Sequence, residues 1–96
     1  MSVYAIAQGR IDDRVAFELY VNLATPTLQT HNARILAVDE APAIIEGTID
    51  YPRTVIIEFD SADAFHAWYD SPEYVMARQH RIAASAGRFI LVAGLT

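Results

Sequence analysis

Pro52-Arg53-Thr54-Val55-Ile56-Ile57-Glu58-Phe59 is the stretch on which the fold turns. Val55, Ile56 and Ile57 are β-branched in a row, which restricts their rotamers and favours a pleated strand over a helix. Successive side chains of a strand point to opposite faces, so Val55, Ile57 and Phe59 share one face while Ile56 and Glu58 share the other. A strand wetted on one side alternates apolar with polar residues, but here both faces carry apolar groups. Phe89-Ile90-Leu91-Val92 repeats the pattern near the end of the sequence. Both faces of the sheet therefore need cover, from helices on one side and from a second sheet on the other.

Outward from this strand, Ser61 is placed to cap a helix that begins at Ala62 and carries Phe65, Trp68 and Tyr69 on one side. Ser71-Pro72-Glu73 restarts the helix with a capping hydroxyl, a proline at the first position and an acid near the positive end of the dipole. That helix is expected to reach Ala86 and to stop at Gly87, with a last strand over residues 88–94. Towards the N-terminus, residues 3–9 read as a strand ending at Gly9, and Ile11-Asp12-Asp13 as a turn and helix start. Ala16, Leu19, Tyr20 and Leu23 then share a face at helical spacing. Thr25-Pro26 interrupts this helix, which is expected to be bent or two-part and to run to about His31. Residues 33–38 form the second strand, with a break at Asp39-Glu40-Ala41-Pro42 and a short continuation over 43–46 closed by Gly47.

The order is β-α-β-β-α-β, the ferredoxin-like split βαβ arrangement, with both helices on one face of a four-stranded antiparallel sheet. The expected fold class is α+β, as one domain over residues 1–96, because two domains in 96 residues would leave each too short to bury a core. The bare face of the sheet is expected to stack on that of a second copy, giving a homodimer.

Composition narrows the partners. A formal charge of −5 with no lysine among the seven basic residues argues against nucleic acid and against an anionic membrane surface. No apolar stretch approaches the roughly 20 residues of a membrane helix, and no charged leader precedes one. The absence of cysteine removes disulfides, thiol nucleophiles and thiolate-ligated metals, and fits a cytoplasmic location. His31, His66 and His80 lack metal-ligand spacing, and glycines 9, 47, 87 and 94 are isolated, so neither a metal nor a nucleotide cofactor is expected.

The run Glu58-Phe59-Asp60-Ser61, then Ala67-Trp68-Tyr69-Asp70-Ser71-Pro72-Glu73-Tyr74 and later Arg81, with Glu46-Gly47 ahead of it, resembles the signature of the DUF1330 family, a domain of unknown function. The resemblance covers nearly the whole chain and implies the dimeric α/β barrel fold. It implies no established reaction, although distant relatives with that fold include cofactor-free monooxygenases, lactone isomerases and haem-binding proteins. The chain departs from the family at His31-Asn32-Ala33 and Asp39-Glu40-Ala41, where glycines are usual.

Glu58 is the first candidate for chemistry, since a carboxylate between Ile57 and Phe59 is costly unless paired or protonated. With a raised pKa it would serve as a general acid or base; the alternative is a structural pair with an arginine of the last helix, Arg81 above all. Tyr74, Arg78 and Arg81 share a helical face that could hold an anionic ligand or simply be solvated. Trp68 and Tyr69 either line a pocket or pack the core, and Tyr20 faces the same choice with a hydroxyl that needs a partner. The leading expectation is a dimer with a small-molecule pocket in each subunit, lined by Tyr20, Glu58, Trp68, Tyr74 and Arg81, that carries out cofactor-free acid-base chemistry. The competing one is a non-catalytic dimerisation or ligand-sensing module.

Overall fold

Four strands and three helices follow one another as β1 (Val3–Ile11), α1 (Arg14–Thr30), β2 (Arg34–Asp39), β3 (Arg53–Phe59), α2 (Ala62–Tyr69), α3 (Pro72–Ala84) and β4 (Ser85–Ala93). The structure, a computed structural model, describes residues 1–95. The strands form one antiparallel sheet in the order β2-β3-β1-β4. This is the ferredoxin-like arrangement read from the sequence, its second crossover divided into α2 and α3 by Ser71-Pro72.

The helix starts are as local as their signals. Asp13 Oδ1 accepts from the Ala16 amide at 3.1 Å, Ser61 Oγ from the Ala64 amide at 3.0 Å and Ser71 Oγ from the Tyr74 amide at 3.3 Å, each satisfying a donor that the helix itself leaves free. α1 runs unbroken through Pro26, not as two pieces. Proline removes only the bond to the Asn22 carbonyl, and Asn22 is exposed, so water can replace it. α1 ends in a Schellman motif in which Asn32 takes the left-handed position, with φ of 56°. The Ala33 amide donates to the Leu28 carbonyl at 3.0 Å and the Asn32 amide to that of Gln29 at 3.2 Å. Asparagine adopts this conformation more readily than other non-glycine residues, so the turn survives without a glycine.

Three further expectations are corrected. The buried stripe of α1 is Phe17, Ala24, Thr27 and Leu28 with Tyr20 partly covered, whereas Leu19 and Leu23 are 46% and 43% exposed. The Thr27 hydroxyl, buried on this stripe, accepts from the Trp68 indole N–H at 2.9 Å and donates to the Ala24 carbonyl at 2.6 Å, which fixes the helix rotation. Residues 43–46 form no strand; they belong to the connection between β2 and β3, where Ile44 and Ile45 are exposed. The last helix stops at Ala84, and Gly87 lies inside β4 opposite Gly9. There it meets a need for space and does not terminate a helix: a Cβ on Gly87 would fall 2.1 Å from the Gln8 carbonyl oxygen.

The helices cover the face of the sheet that carries Ala5, Val55, Ile57 and Phe59, all buried. Trp68 and Tyr74, both fully buried, fill the centre of this core with ring centroids 3.9 Å apart. The other face has no cover. Ile6 stands between Ile56 and Ile90 in register, and Ile90 and Val92 are 50% and 40% exposed.

Candidate ligand-binding site

Alternation along β3 sorts the candidate residues onto two faces. Arg53, Val55, Ile57 and Phe59 point toward the helices, and Thr54, Ile56 and Glu58 point away. The structure therefore does not bring Glu58 together with Tyr20, Trp68, Tyr74 and Arg81, which all lie on the helix side. Glu58 Oε1 accepts from Arg34 Nε at 2.9 Å, and Tyr4 Oη donates to Glu58 Oε2 at 3.4 Å. Arg34 also reaches Asp60 Oδ1 through Nη2 at 2.7 Å. The Arg34 guanidinium, aided by the hydroxyls of Ser2 and Tyr4, holds the Glu58 pKa below the ordinary carboxylate value. This sign is opposite to that of a carboxylic acid kept protonated near neutrality, and the pairing arginine comes from β2, not from the last helix. Sequence reasoning passed over Arg34 because nothing local links it to Glu58; the two meet only through the β2–β3 register.

On the helix side, α1 and the β2–β3 part of the sheet leave a cleft of about 220 Å³. Tyr20, Val21, Ala24 and Leu28 of α1 form one wall, Ile35 and Val38 of β2 with Val55 and Ile57 of β3 the other. Arg53, Arg81 and Phe17 close one end, where a smaller recess of about 40 Å³ continues past both arginines to Gly9 and Gly87. Of the sequence candidates, Tyr20 and Arg81 line this cleft. Trp68 does not; it is core, with its indole N–H satisfied by Thr27. Tyr74 is also core, but its hydroxyl lies 2.9 Å from that of Tyr20 and so connects the core to the cleft.

Two polar groups of the cleft, Tyr20 and Arg81, are held in their protonated forms. Burial, reinforced by the neighbouring Tyr74 hydroxyl, pushes the Tyr20 pKa far above its ordinary value, against the opposing charges of Arg81 and Arg53. Burial works against the charge on Arg81, but the hydroxyls of Tyr74 and Tyr20 outweigh it and leave the pKa raised. The Arg81 guanidinium is 5.6 Å from the centre of the Phe89 ring and 6.0 Å from that of Tyr20. Arg53 lies over Phe17 at 4.8 Å, and its Nε is 3.4 Å from Glu40 Oε2 without hydrogen-bond alignment. Glu40 is engaged with Arg14 by two bonds of 2.8 and 3.2 Å. Arg53 was missed in the sequence although its place was legible, since it shares the parity of Val55 and Ile57.

Among the described residues, no group of three or more His, Asp or Glu side chains lies close enough together to hold a metal ion. Among the described residues, no helix is long and apolar enough to cross a membrane.

An antiparallel four-stranded sheet in the order β2-β3-β1-β4, with its helices on one face, defines a protein of ferredoxin-like fold. Residues 2–95 match the model of the domain of unknown function DUF1330, and the chain belongs to that family. Its structure is similar to that of a Rhodopseudomonas palustris protein of unknown function, at 19% identity and a TM-score of 0.84, covering 99% of this chain and 83% of that one. It is also similar to a Mesorhizobium loti protein described as a dimeric α/β barrel family member with a ferredoxin-like fold, at 15% identity and a TM-score of 0.69, over 99% and 98% of the two chains. SnoaB, a cofactor-independent oxygenase from Streptomyces nogalater, matches at 14% identity with a TM-score of 0.68, over 99% and 94%. No curated protein matches the sequence.

Proposed function

We propose that this chain binds a small, largely apolar molecule in the cleft between α1 and the sheet, as a dimer whose subunits pair through their outer sheet faces. The observation that carries the reading is the cleft itself: apolar walls with a few polar groups gathered at one end, the usual make-up of a small-molecule site. At about 220 Å³ it falls below the roughly 300–1,000 Å³ of sites for drug-sized ligands, so its occupant is small. The wider groove between the β2–β3 connection and Gln8, Thr54 and Arg88 lies on the outer face, which a second subunit would cover.

Any chemistry that the side chains of the cleft supply rests on donors. Tyr20, Arg53 and Arg81 can stabilise negative charge that develops on a bound oxygen, while no carboxylate or histidine lines the cleft to take a proton. An acid-base role for Glu58 would need a ligand on the outer face, so the proposal places binding, and not proton abstraction by Glu58, at the centre of the function. The relatives of this fold include a cofactor-independent oxygenase, which is compatible with a substrate that supplies its own reactivity.

A fragment screen by ligand-observed NMR tests the reading, with Val21→Trp as the blocked control because Val21 is partly exposed on the cleft wall. Fragments that bind the native chain should lose binding to the variant while its circular dichroism is unchanged. Binding that persists in Val21→Trp, or a screen without a single binder, refutes it.

A further inference from the structure

Charges withdrawn from water are usually paired with opposite charge, and Arg81, which is half-buried in the cleft, lacks such a pair. Ion pairs among the described residues join Arg10 to Asp12, Arg14 and Arg53 to Glu40, and Arg34 to Glu58 and Asp60. Arg81 has none. Its Nε is enclosed and has no hydrogen-bond partner, and the same holds for Arg53 Nε. Both side chains line the cleft and both are near enough to Tyr20 for their charges to act on its hydroxyl. Glu40 is one carboxylate shared between Arg14 and Arg53 and forms no ion pair with Arg81, so the arginine end of the cleft keeps an excess of positive charge.

We infer that the cleft takes an apolar monocarboxylate, its carboxylate held by Arg81 and Arg53 and its hydrocarbon or aromatic body lying along Val21, Ile35 and Val38. This rests on the reading of the cleft as a ligand site and adds the class of ligand. A carboxylate supplies the missing negative charge and accepts from planar guanidinium donors in the geometry that such groups favour. The Tyr20 hydroxyl, already shared with Tyr74, is a third group at that end. A phosphate group fits less well, since it carries more charge and more acceptors than this end of the cleft can answer, and no glycine-rich run of backbone amides lines the walls. The long apolar walls exclude a bare small anion as the natural occupant, because most of the site would then bury nothing.

The test is isothermal titration of the native chain with phenylacetate, hexanoate and cinnamate, with the primary amide of each, and with acetate. At least one of the three carboxylates should bind about tenfold or more tightly than its amide, and acetate more weakly than either. Arg81→Met should weaken the carboxylate at least about tenfold and leave the amide within about twofold. Where Arg81→Met does not fold, the native chain at rising sodium chloride gives the same discrimination: the carboxylate should weaken and the amide should not. An amide that binds as tightly as its acid overturns the carboxylate assignment and leaves the cleft standing as a ligand site. Binding of neither, together with a failed fragment screen, overturns both.

Discussion

Arg34 and Glu58 face each other across the β2–β3 pair, with Arg34 Nε 2.9 Å from Glu58 Oε1. Because Arg34 lowers the Glu58 pKa, the folded carboxylate keeps its charge to lower pH than the unfolded one. The resulting stability is present above the unfolded value, about 4.3 for glutamate, and is lost as pH falls through the folded value. Thermal melts should therefore show native stability falling more steeply than that of Glu58→Gln between about pH 5 and pH 2, with the two curves converging at the acid end. Near neutrality the variant should lose little, since Arg34 keeps its exposed partner Asp60. Parallel curves over the acid range would mean that the pair does not act on Glu58.

The same pair shows where sequence reasoning stops. Helix starts at Ser61 and Ser71 and the strand at Val55-Ile56-Ile57 were legible because a cap or a β-branched run acts within a few residues. The partner of Glu58 was not, because the long β2–β3 connection fixes no register of its own and β2 carries an irregularity between Ile35 and Ala37. The rotation of α1 depended on one buried hydroxyl, that of Thr27, whose need is visible only once Trp68 lies beside it. The cleft was half legible. Tyr20 and Arg81 follow from helical spacing, whereas strand parity sets Glu58 with Ile56, away from them, and Arg53 with Ile57, beside them.

Parity also makes neighbouring residues into a test of the dimer. Ile57 is 5% exposed and faces the core, whereas Ile56 is only partly covered and faces the open side with Ile6 and Ile90. A sheet pair closed through that side would bury roughly 1,200–2,000 Å² in total, the usual size of a stable interface. The native chain should sediment as a dimer at micromolar concentration. Ile56→Lys should sediment as a folded monomer, because the lysine can reach water from an uncovered face but is intolerable inside an interface. Ile57→Lys should unfold, with loss of the circular dichroism signal. A native chain that stays monomeric across this range, or Ile56→Lys that stays dimeric, rejects pairing through the outer face.

Gly9 and Gly87 are directly opposed in β1 and β4, and their environments differ enough to separate two roles for glycine. A methyl group on Gly9 would meet only the Ala86 carbonyl oxygen, at 3.4 Å, whereas one on Gly87 would lie 2.1 Å from the Gln8 carbonyl oxygen and 2.7 Å from the Gly9 Cα. Both obstacles at Gly87 are backbone, so relief requires β4 to move away from β1. Neither glycine has a positive φ, so alanine at either position costs through space and not through backbone conformation. Gly9→Ala should be neutral or stabilising, by up to about 1 kcal/mol, through the lower entropy of its unfolded chain. Gly87→Ala should cost about 3 kcal/mol, the upper end for inserting volume where nothing can yield cheaply. Both residues floor the recess past Arg53 and Arg81, so displacement of β4 by Gly87→Ala should also weaken carboxylate binding, and Gly9→Ala should spare it. Denaturant melts read the first effect and titration with the carboxylate the second. Equal costs at the two positions would show that the close approach at Gly87 sets neither the spacing of β1 and β4 nor the shape of the end of the cleft.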